Sequence, residues 1–381
     1  MLSTPTFVKL TRSILEKSPM LNRFLVPPED QIVVKEGVIR SATKQIFKRM
    51  GVVSKDANLM ADVLITSDLR GCESHGVSNM LRNYIDWYRN DIVNPRPSVK
   101  CIRESLVTAT MDGDRGLGIQ VGPEAMEMAI DKANKTGIGS VVVQNCSHAG
   151  MLAYYPMMAV NKDMIGIAMH SIGGSLQLPT FGSEAIYGTH PIAWGIPAGE
   201  MPPFMFDIAT TQVAANKLML TRRIGSHLEP GWIADLQGEP IMEKLQSPEY
   251  GQFLMLPFGG TRENGSHKGF GFATIVDMMA GILSGNGPGH LNPQRKNGLF
   301  LMAMKVEAFV DMADFKSDMD ALLERIARMT PTEGHERVYY AGLIEHEETK
   351  KRKTYGIPYH REVVEWFEQT ALDMDLNYSL R

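Results

Sequence analysis

An α/β core carrying a helical subdomain built from both ends of the chain is the fold class this sequence predicts. Three observations predict it. Amphipathic helices follow one another from residue 35 to 90, strands and helices alternate from about 106 to 313, and helical patterning returns from about 314. The expected division is an N-terminal arm over 1–30, a helical subdomain from 31–105 plus 314–381, and an α/β domain over 106–313.

The elements follow in order. "KEGVIRSATKQIFKRMG" spaces Val38, Ala42, Ile46 and Met50 four apart, a one-sided stripe stopping at Gly51. Ser54 opens a second helix, "KDANLMADVLITSDLR", which ends at Gly71. In "SHGVSNMLRNYIDWYRN", Val77, Leu81, Tyr84 and Tyr88 share the face of a third. "LVTATMDGD" alternates as a strand does, and "PEAMEMAIDKANKTG" is a helix with Pro123 near its first turn and Gly137 at its stop. "IGSVVVQN" and "MIGIAMHS" are continuous apolar runs, hence buried strands, on either side of a helix over "GMLAYYPMMAVNKD". Strands over "PFMFDIAT" and "FLMLPFGG" alternate with helices over "QVAANKLMLTRR" and "KGFGFATIVDMMAGILSG". A late strand, "GLFLMAMKVEAF", precedes the tail helices around "DALLERIARM" and "REVVEWFEQTAL".

Composition narrows the function classes. The 381 residues are 44% hydrophobic and 22% charged, as in a folded soluble protein. With 39 basic and 43 acidic residues the formal charge is −4, so no basic excess points to nucleic acid or an anionic membrane. Cys72, Cys101 and Cys146 are too few and too scattered for a disulfide framework or a CxxC knuckle, which favours a reducing cytoplasm. No apolar run approaches the roughly 20 residues needed to cross a bilayer. Lys9, Arg12, Lys17 and Arg23 give residues 1–30 a basic cast, read as an arm lying on a neighbouring subunit in preference to a transit peptide.

"TMDGDRGLGIQVGPEAM" looks at first like a dinucleotide loop between a strand and a helix. Its glycines Gly116, Gly118 and Gly122 are spaced GxGxxxG, one residue too long, and the strand that follows ends in Gln144 where the ribose-binding acid belongs. A turn with tight packing is the better reading. The chemistry lies elsewhere. Ser74 is placed to cap a helix, which puts His75 in the first turn, where the positive helix end disfavours an imidazolium. Ser147-His148-Ala149-Gly150 repeats the pattern after a buried strand. His170 and Ser171 end the next strand, Thr189 and His190 lie in a turn, and Asp207 ends another strand. Ligands of α/β sheets bind beyond the carboxyl ends of strands. Lys268 follows a glycine-rich loop at a helix start, where backbone N–H groups suit a phosphate. No histidines stand at HxxxH or HExxH spacing and no serine occupies a GxSxG elbow, so acid–base chemistry beside a bound cofactor is favoured over metal or nucleophilic catalysis.

"DLRGCESHGVSN", "SHAGMLAYY", "IYGTHPIAWGIPAG", "FDIATTQVAANKL", "HKGFGFATIVDMMAGILSG" and "ERVYYAGLIE", in that order, resemble the malate/L-lactate dehydrogenase family of the L-sulfolactate-dehydrogenase type. This group also includes ureidoglycolate dehydrogenase, diketogulonate reductase and piperideine-carboxylate reductase. The resemblance covers nearly everything after residue 30. It implies a non-Rossmann, mixed-sheet NAD(P)-binding core, usually in a homodimer with sites near the subunit interface. It also implies hydride transfer between the nicotinamide of NAD or NADP and C2 of a 2-hydroxy/2-oxo carboxylate. Reduction of a ketimine carboxylate is the alternative within the family; a metal-dependent lyase or hydrolase, or a non-catalytic binder of small acids, is the rival outside it. On the resemblance, His75, His148 and Asp207 are catalytic, with the proton-transfer role open between the two histidines. His148, Ser171, Gly188, Thr189, His190, Pro191 and Lys268 are cofactor contacts, and Ser74, Asn79, Arg82, Arg262 and His267 substrate contacts. Three departures stand out. Asn79 replaces an arginine found in many relatives, leaving Arg82 to substitute, and His190 replaces the asparagine of GTNP. "TRENGS" (261–266) lengthens the turn before Lys268, giving Arg262 or His267 a route to the substrate.

Overall fold

A short strand, β1 (Gln31–Val34), leads into α1 (Glu36–Arg49). The computed structural model describes residues 24–291 and 297–380, so the expected arm lies outside them as far as position 23. The buried stripe of α1 is Ile39, Ala42, Ile46 and Phe47, while Val38 faces solvent, a rotation of the expected face by about one residue. Two branched side chains compete for the first position, and the packing core takes Ile39. Next comes α2 (Ser54–Leu69), then a single 3-10 turn at Glu73–His75, then α3 (Val77–Arg89).

The helix start expected at Ser74–His75 is therefore displaced. Ser74 makes no cap, and Gly76, in extended conformation, precedes α3. The cap comes from the preceding helix: Oδ2 of buried Asp68 accepts the Val77 N–H at 3.1 Å. Gly76 is required because a Cβ there would lie 1.7 Å from Asp68 Oδ1.

The alternating middle supplies β2 (Lys100–Glu104), β3 (Thr108–Asp112), α4 (Gly118–Thr136), β4 (Ile138–Cys146), α5 (Tyr154–Val160), β5 (Met164–Ser171), β6 (Ile192–Ile196) and β7 (Phe204–Ile208). Helix α4 starts five residues before Pro123, which lies inside it and not in its first turn. Packing carries the helix past the proline: Tyr155 Oη donates to the Gly118 carbonyl at 3.1 Å, and a Cβ on Gly118 or Gly122 would strike Ala149 or the Tyr155 ring. These glycines serve close approach, as the sequence reading preferred.

Beyond β7 run α6 (Ala215–Arg223) and the two-residue strands β8 (His227–Leu228), β9 (Ile233–Ala234), β10 (Leu245–Gln246) and β11 (Leu254–Met255). The strand expected over "FLMLPFGG" is thus only β11, paired with β9 outside the main sheet. Then come α7 (Ser266–Val276), which continues as a π-helical turn at Asp277–Ile282, β12 (Asn297–Lys305), α8 (Met312–Ala327), α9 (Leu343–Tyr355), β13 (Ile357–His360) and α10 (Arg361–Asp373). Strand β13 pairs with β1, and α10 joins the N-terminal helices in one core around Phe47, Leu64, Tyr84 and Phe367. Helix α8 instead packs on the segment before β7, through Leu323 against Ala198, Met201 and Phe204.

The main sheet has the order β2-β3-β4-β12-β5-β6-β7. Strands β3 and β4 run parallel, and every other neighbouring pair is antiparallel. The sheet is mixed, as expected. Insertion of β12 between β4 and β5 makes those two point the same way, and β7 joins them. One edge therefore gathers the carboxyl ends of β4, β5 and β7 with the entry to β6. Alternation sends Val141, Val143, Ala168 and Ala193 toward α4 and α5, and Val142, Ile167, Met169 and Ile192 toward the π turn.

Candidate active site

His148 leaves the end of β4, and the 3-10 turn after α2 brings His75 against it. The two rings stack with centroids 5.7 Å apart and planes 11° apart. His170, on the same face of β5 as Ala168, meets His148 edge-on at 6.3 Å. Tyr84, wholly buried on α3, completes the cluster through its hydroxyl, 2.8 Å from His148 Nδ1.

Burial controls the charge here. It lowers the pKa of His75 to about 4, with the ammonium of Lys217 adding to the effect. The neutral state was expected from the helix end; desolvation is the larger cause. His148 falls well below the usual histidine value through burial and then through His75 and His170, and His170 is lowered to about 3, mainly by burial. Hydrogen bonds select the tautomers. The Gly150 N–H reaches His148 Nδ1 at 3.2 Å, alongside the Tyr84 hydroxyl. Both bonds form together when Nδ1 is the acceptor, which leaves the proton on Nε2. His170 Nδ1 must donate to the Gly298 carbonyl at 3.2 Å, leaving a buried Nε2 lone pair without a partner among the described residues. His75 Nδ1 is 2.9 Å from Ser74 Oγ, a hydroxyl that either donates or accepts, so its tautomer is free to change.

Asp207 lies in β7 with an exposed outer edge, and its Oδ2 accepts the Ala153 N–H at 2.7 Å. Desolvation raises its pKa to about 6 against the bonds from Ala153 and Leu152 and the nearby charge of Arg70. The carboxylate thereby ties down the loop that carries His148.

A second polar cluster lies across β5, on the π-turn side. Ser171 Oγ donates to Asp277 Oδ1 at 2.9 Å, the Gly289 N–H donates to the same oxygen at 3.2 Å, and His190 Nε2 approaches it at 3.3 Å. Burial works against ionisation of Asp277, but these bonds hold its pKa below the usual carboxylate value; burial lowers that of His190. His190 is 1% exposed, its Nδ1 has no partner among the described residues, and its φ of 36° is one that asparagine adopts more readily than most residues. Thr189 joins this edge through its carbonyl, which accepts the Thr210 N–H at 3.0 Å, and Pro191 through its own, which accepts the His170 N–H at 3.1 Å. Gly188 packs where a Cβ would meet the Ile172 carbonyl at 2.8 Å.

The remaining expected residues lie apart from the histidines or are bound to other partners. Asn79 Oδ1 accepts from Arg223 at 2.9 Å and its Nδ2 donates to the Asn216 carbonyl at 3.0 Å, joining α3 to α6. Arg82 pairs with Glu362 at 2.6 Å and covers Trp366. Arg262, His267 and Lys268 are exposed around the start of α7. Sequence reasoning missed Tyr84, Asp68, Lys217 and Asp277. Tyr84 read as core, and only Asp277 carried a signal, as a lone acid in an apolar helix.

Comparisons with known proteins agree with this fold and place the chain in a family. The pattern of the family described as malate/L-lactate dehydrogenase matches residues 34–368. The chain belongs to the malate/L-lactate dehydrogenase family. It is 37% identical to a malate dehydrogenase of Pyrococcus abyssi over 349 residues, covering 90% of this chain and 95% of the relative. To an L-sulfolactate dehydrogenase of Methanocaldococcus jannaschii it is 33% identical, covering 87% and 94%. The solved structure of malate dehydrogenase from Pyrococcus horikoshii superposes with a TM-score of 0.83 at 32% identity, covering 93% and 98% of the two chains. The chain is a 2-hydroxy acid dehydrogenase of this family, whose members use nicotinamide cofactors.

Proposed function

We propose that this dehydrogenase interconverts a 2-hydroxy and a 2-oxo carboxylate of the malate, lactate or sulfolactate kind, using NAD or NADP. The stacked, neutral pair His75–His148 carries the reading. A half-buried imidazole, desolvated enough to be uncharged at pH 7 yet open on one side, is ready to receive a hydroxyl proton. The tautomers divide the roles. His148, its proton on Nε2, donates a hydrogen bond to the substrate oxygen and stabilises negative charge developing there. His75, free to switch tautomer against Ser74, exchanges the proton. Asp207 fixes the His148 loop.

The residues present fit a nicotinamide cofactor. On the π-turn side the unpartnered Nδ1 of His190 is a buried acceptor, and Ser171 and Asp277 hold that ring in place. Exposed Lys268 sits in the first turn of α7, suited to a phosphate. When bound, the cofactor supplies or receives the hydride. Phe272, Ile275, Met278, Ile282 and Leu283 form an exposed apolar stripe along α7 and the π turn, which supports a homodimer built on this face. Three free thiols support a cytoplasmic setting.

The test is titration of the protein with NADH and with NADPH, followed by nicotinamide fluorescence. A panel of 2-oxo acids, with cyclic imine carboxylates beside them, is then assayed for turnover. Micromolar binding of one nucleotide and turnover of a 2-oxo acid are expected. Turnover of imines alone would replace the reading by ketimine reduction, and binding of neither nucleotide would overturn it.

A further inference from the structure

We propose that Lys217 is the cation that holds the substrate carboxylate, an assignment that rests on the 2-hydroxy acid reading above. A carboxylate brought beside three uncharged imidazoles needs a positive partner, because its desolvation is otherwise uncompensated. The cations nearest to the expected gripping position are committed. Arg82 is held by Glu362 and Trp366. Arg223 places its guanidinium on Asn79 Oδ1, the Ser78 carbonyl and Glu362. Arg70 acts on Asp207, an acid already present.

Lys217 differs on each count. Helix α6 packs against both the Glu73–His75 turn and α3. The residue before it is pinned to α3: the Asn216 carbonyl accepts from Asn79, and its side-chain amide meets Met80 Sδ at 3.2 Å. Lys217 is therefore held at the histidine turn. Its half-buried ammonium rests 4.7 Å from the Phe24 ring centroid and has no carboxylate partner among the described residues. Its charge reaches His75, which it helps to keep neutral. An ammonium without a carboxylate partner among the described residues, on the helix packed against the proton-exchanging imidazole's turn, is placed to bind an acid whose hydroxyl faces that imidazole.

The experiment compares wild type with Lys217→Met and Lys217→Arg. Each is assayed at saturating nicotinamide on pyruvate, on oxaloacetate and on pyruvamide, which keeps the ketone and lacks the charge. Lys217→Met should raise KM for the acids about 30-fold or more and leave pyruvamide within about threefold, so that discrimination between acid and amide collapses. Lys217→Arg should restore most of the affinity. Loss of the ammonium should also move the acid limb of the pH profile upward. Methionine keeps the apolar stem on Phe24, so melting should stay within about 3 °C. An acid KM within threefold of wild type would overturn the assignment. So would equal losses for acid and amide, which mark a structural role, or a weakened nicotinamide Kd with unchanged acid KM, which places the ammonium on a cofactor phosphate. Failure of the wild type to turn over any 2-oxo acid would remove the functional reading itself, and this assignment with it, before any variant is made.

Discussion

Replacing Gly76 with alanine puts one methyl group where Asp68 already is. The added Cβ would lie 1.7 Å from Asp68 Oδ1 and 2.4 Å from Cγ, and reaching ordinary contact takes a displacement on the order of 1.5 Å. The φ of Gly76, −88°, is open to any residue, so backbone strain adds nothing and the clash is the whole effect. Two responses are available. If Asp68 moves, it gives up the Val77 N–H at 3.1 Å and the Tyr359 hydroxyl at 2.9 Å, both inside the core. Two buried bonds to a carboxylate at about 1–3 kcal/mol each amount to roughly 2–6 kcal/mol of stability. If the turn moves instead, His75 travels with it, and a misplacement of about 1 Å costs on the order of a hundredfold in rate.

Urea unfolding and steady-state kinetics on the same variant separate these responses. Asp68→Ala provides the control, since it removes the obstructing carboxylate. The double variant should then be less damaged than the two single losses added together, with a coupling of about 1–3 kcal/mol. Gly76→Ala within about 0.5 kcal/mol and threefold of wild type, or strict additivity in the cycle, would refute the close-approach argument.

Alanine at His75 or at His148 should each cost at least about a hundredfold in turnover, and an effect below threefold removes that residue from the chemistry. Because His75 is held near a pKa of about 4, kcat/KM for oxidation should be flat above pH 5 and fall below it as the imidazole takes a proton. A break at 6.5 or higher would contradict the burial argument. The acid limb should persist, at lower rate, in His148→Asn; if it disappears there, the proton belongs to His148. Tyr84→Phe removes one of two donors to His148 Nδ1 and should cost about tenfold in kcat with unchanged circular dichroism, whereas an unchanged kcat would mean that the Gly150 N–H alone fixes the tautomer.

The strands that end at the site were legible because each is a continuous apolar run closed by a polar residue. His148, His170 and Asp207 could be placed at strand ends without knowing the sheet. The order of the sheet was not legible. Nothing local in residues 297–305 says that β12 slides between β4 and β5, yet that insertion makes β4 and β5 point the same way. The start of α3 was misplaced for a related reason. Ser74 has the chemistry of a cap, but the true cap is Asp68, eight residues before Gly76 and brought back by the turn. Lys217 read as one more polar position on a helix, since its meaning depends on which carboxylates are absent around it.

The placement of Asp277 is a matter of helical phase. On α7 the exposed apolar residues Phe272, Ile275 and Met278 recur every third position and mark the outer face, while Asp277, four residues after buried Ala273 and next to buried Val276, falls on the opposite face, toward the sheet. The wider turn at Asp277–Ile282 begins at this residue, and Asp277 goes inward to Ser171 and His190 while Met278 stays on the surface. Strand alternation does the rest. His170 and Ser171 are consecutive, so one faces His148 and the other Asp277. The histidine cluster and the π-turn cluster are thus joined by a single peptide bond at the end of β5.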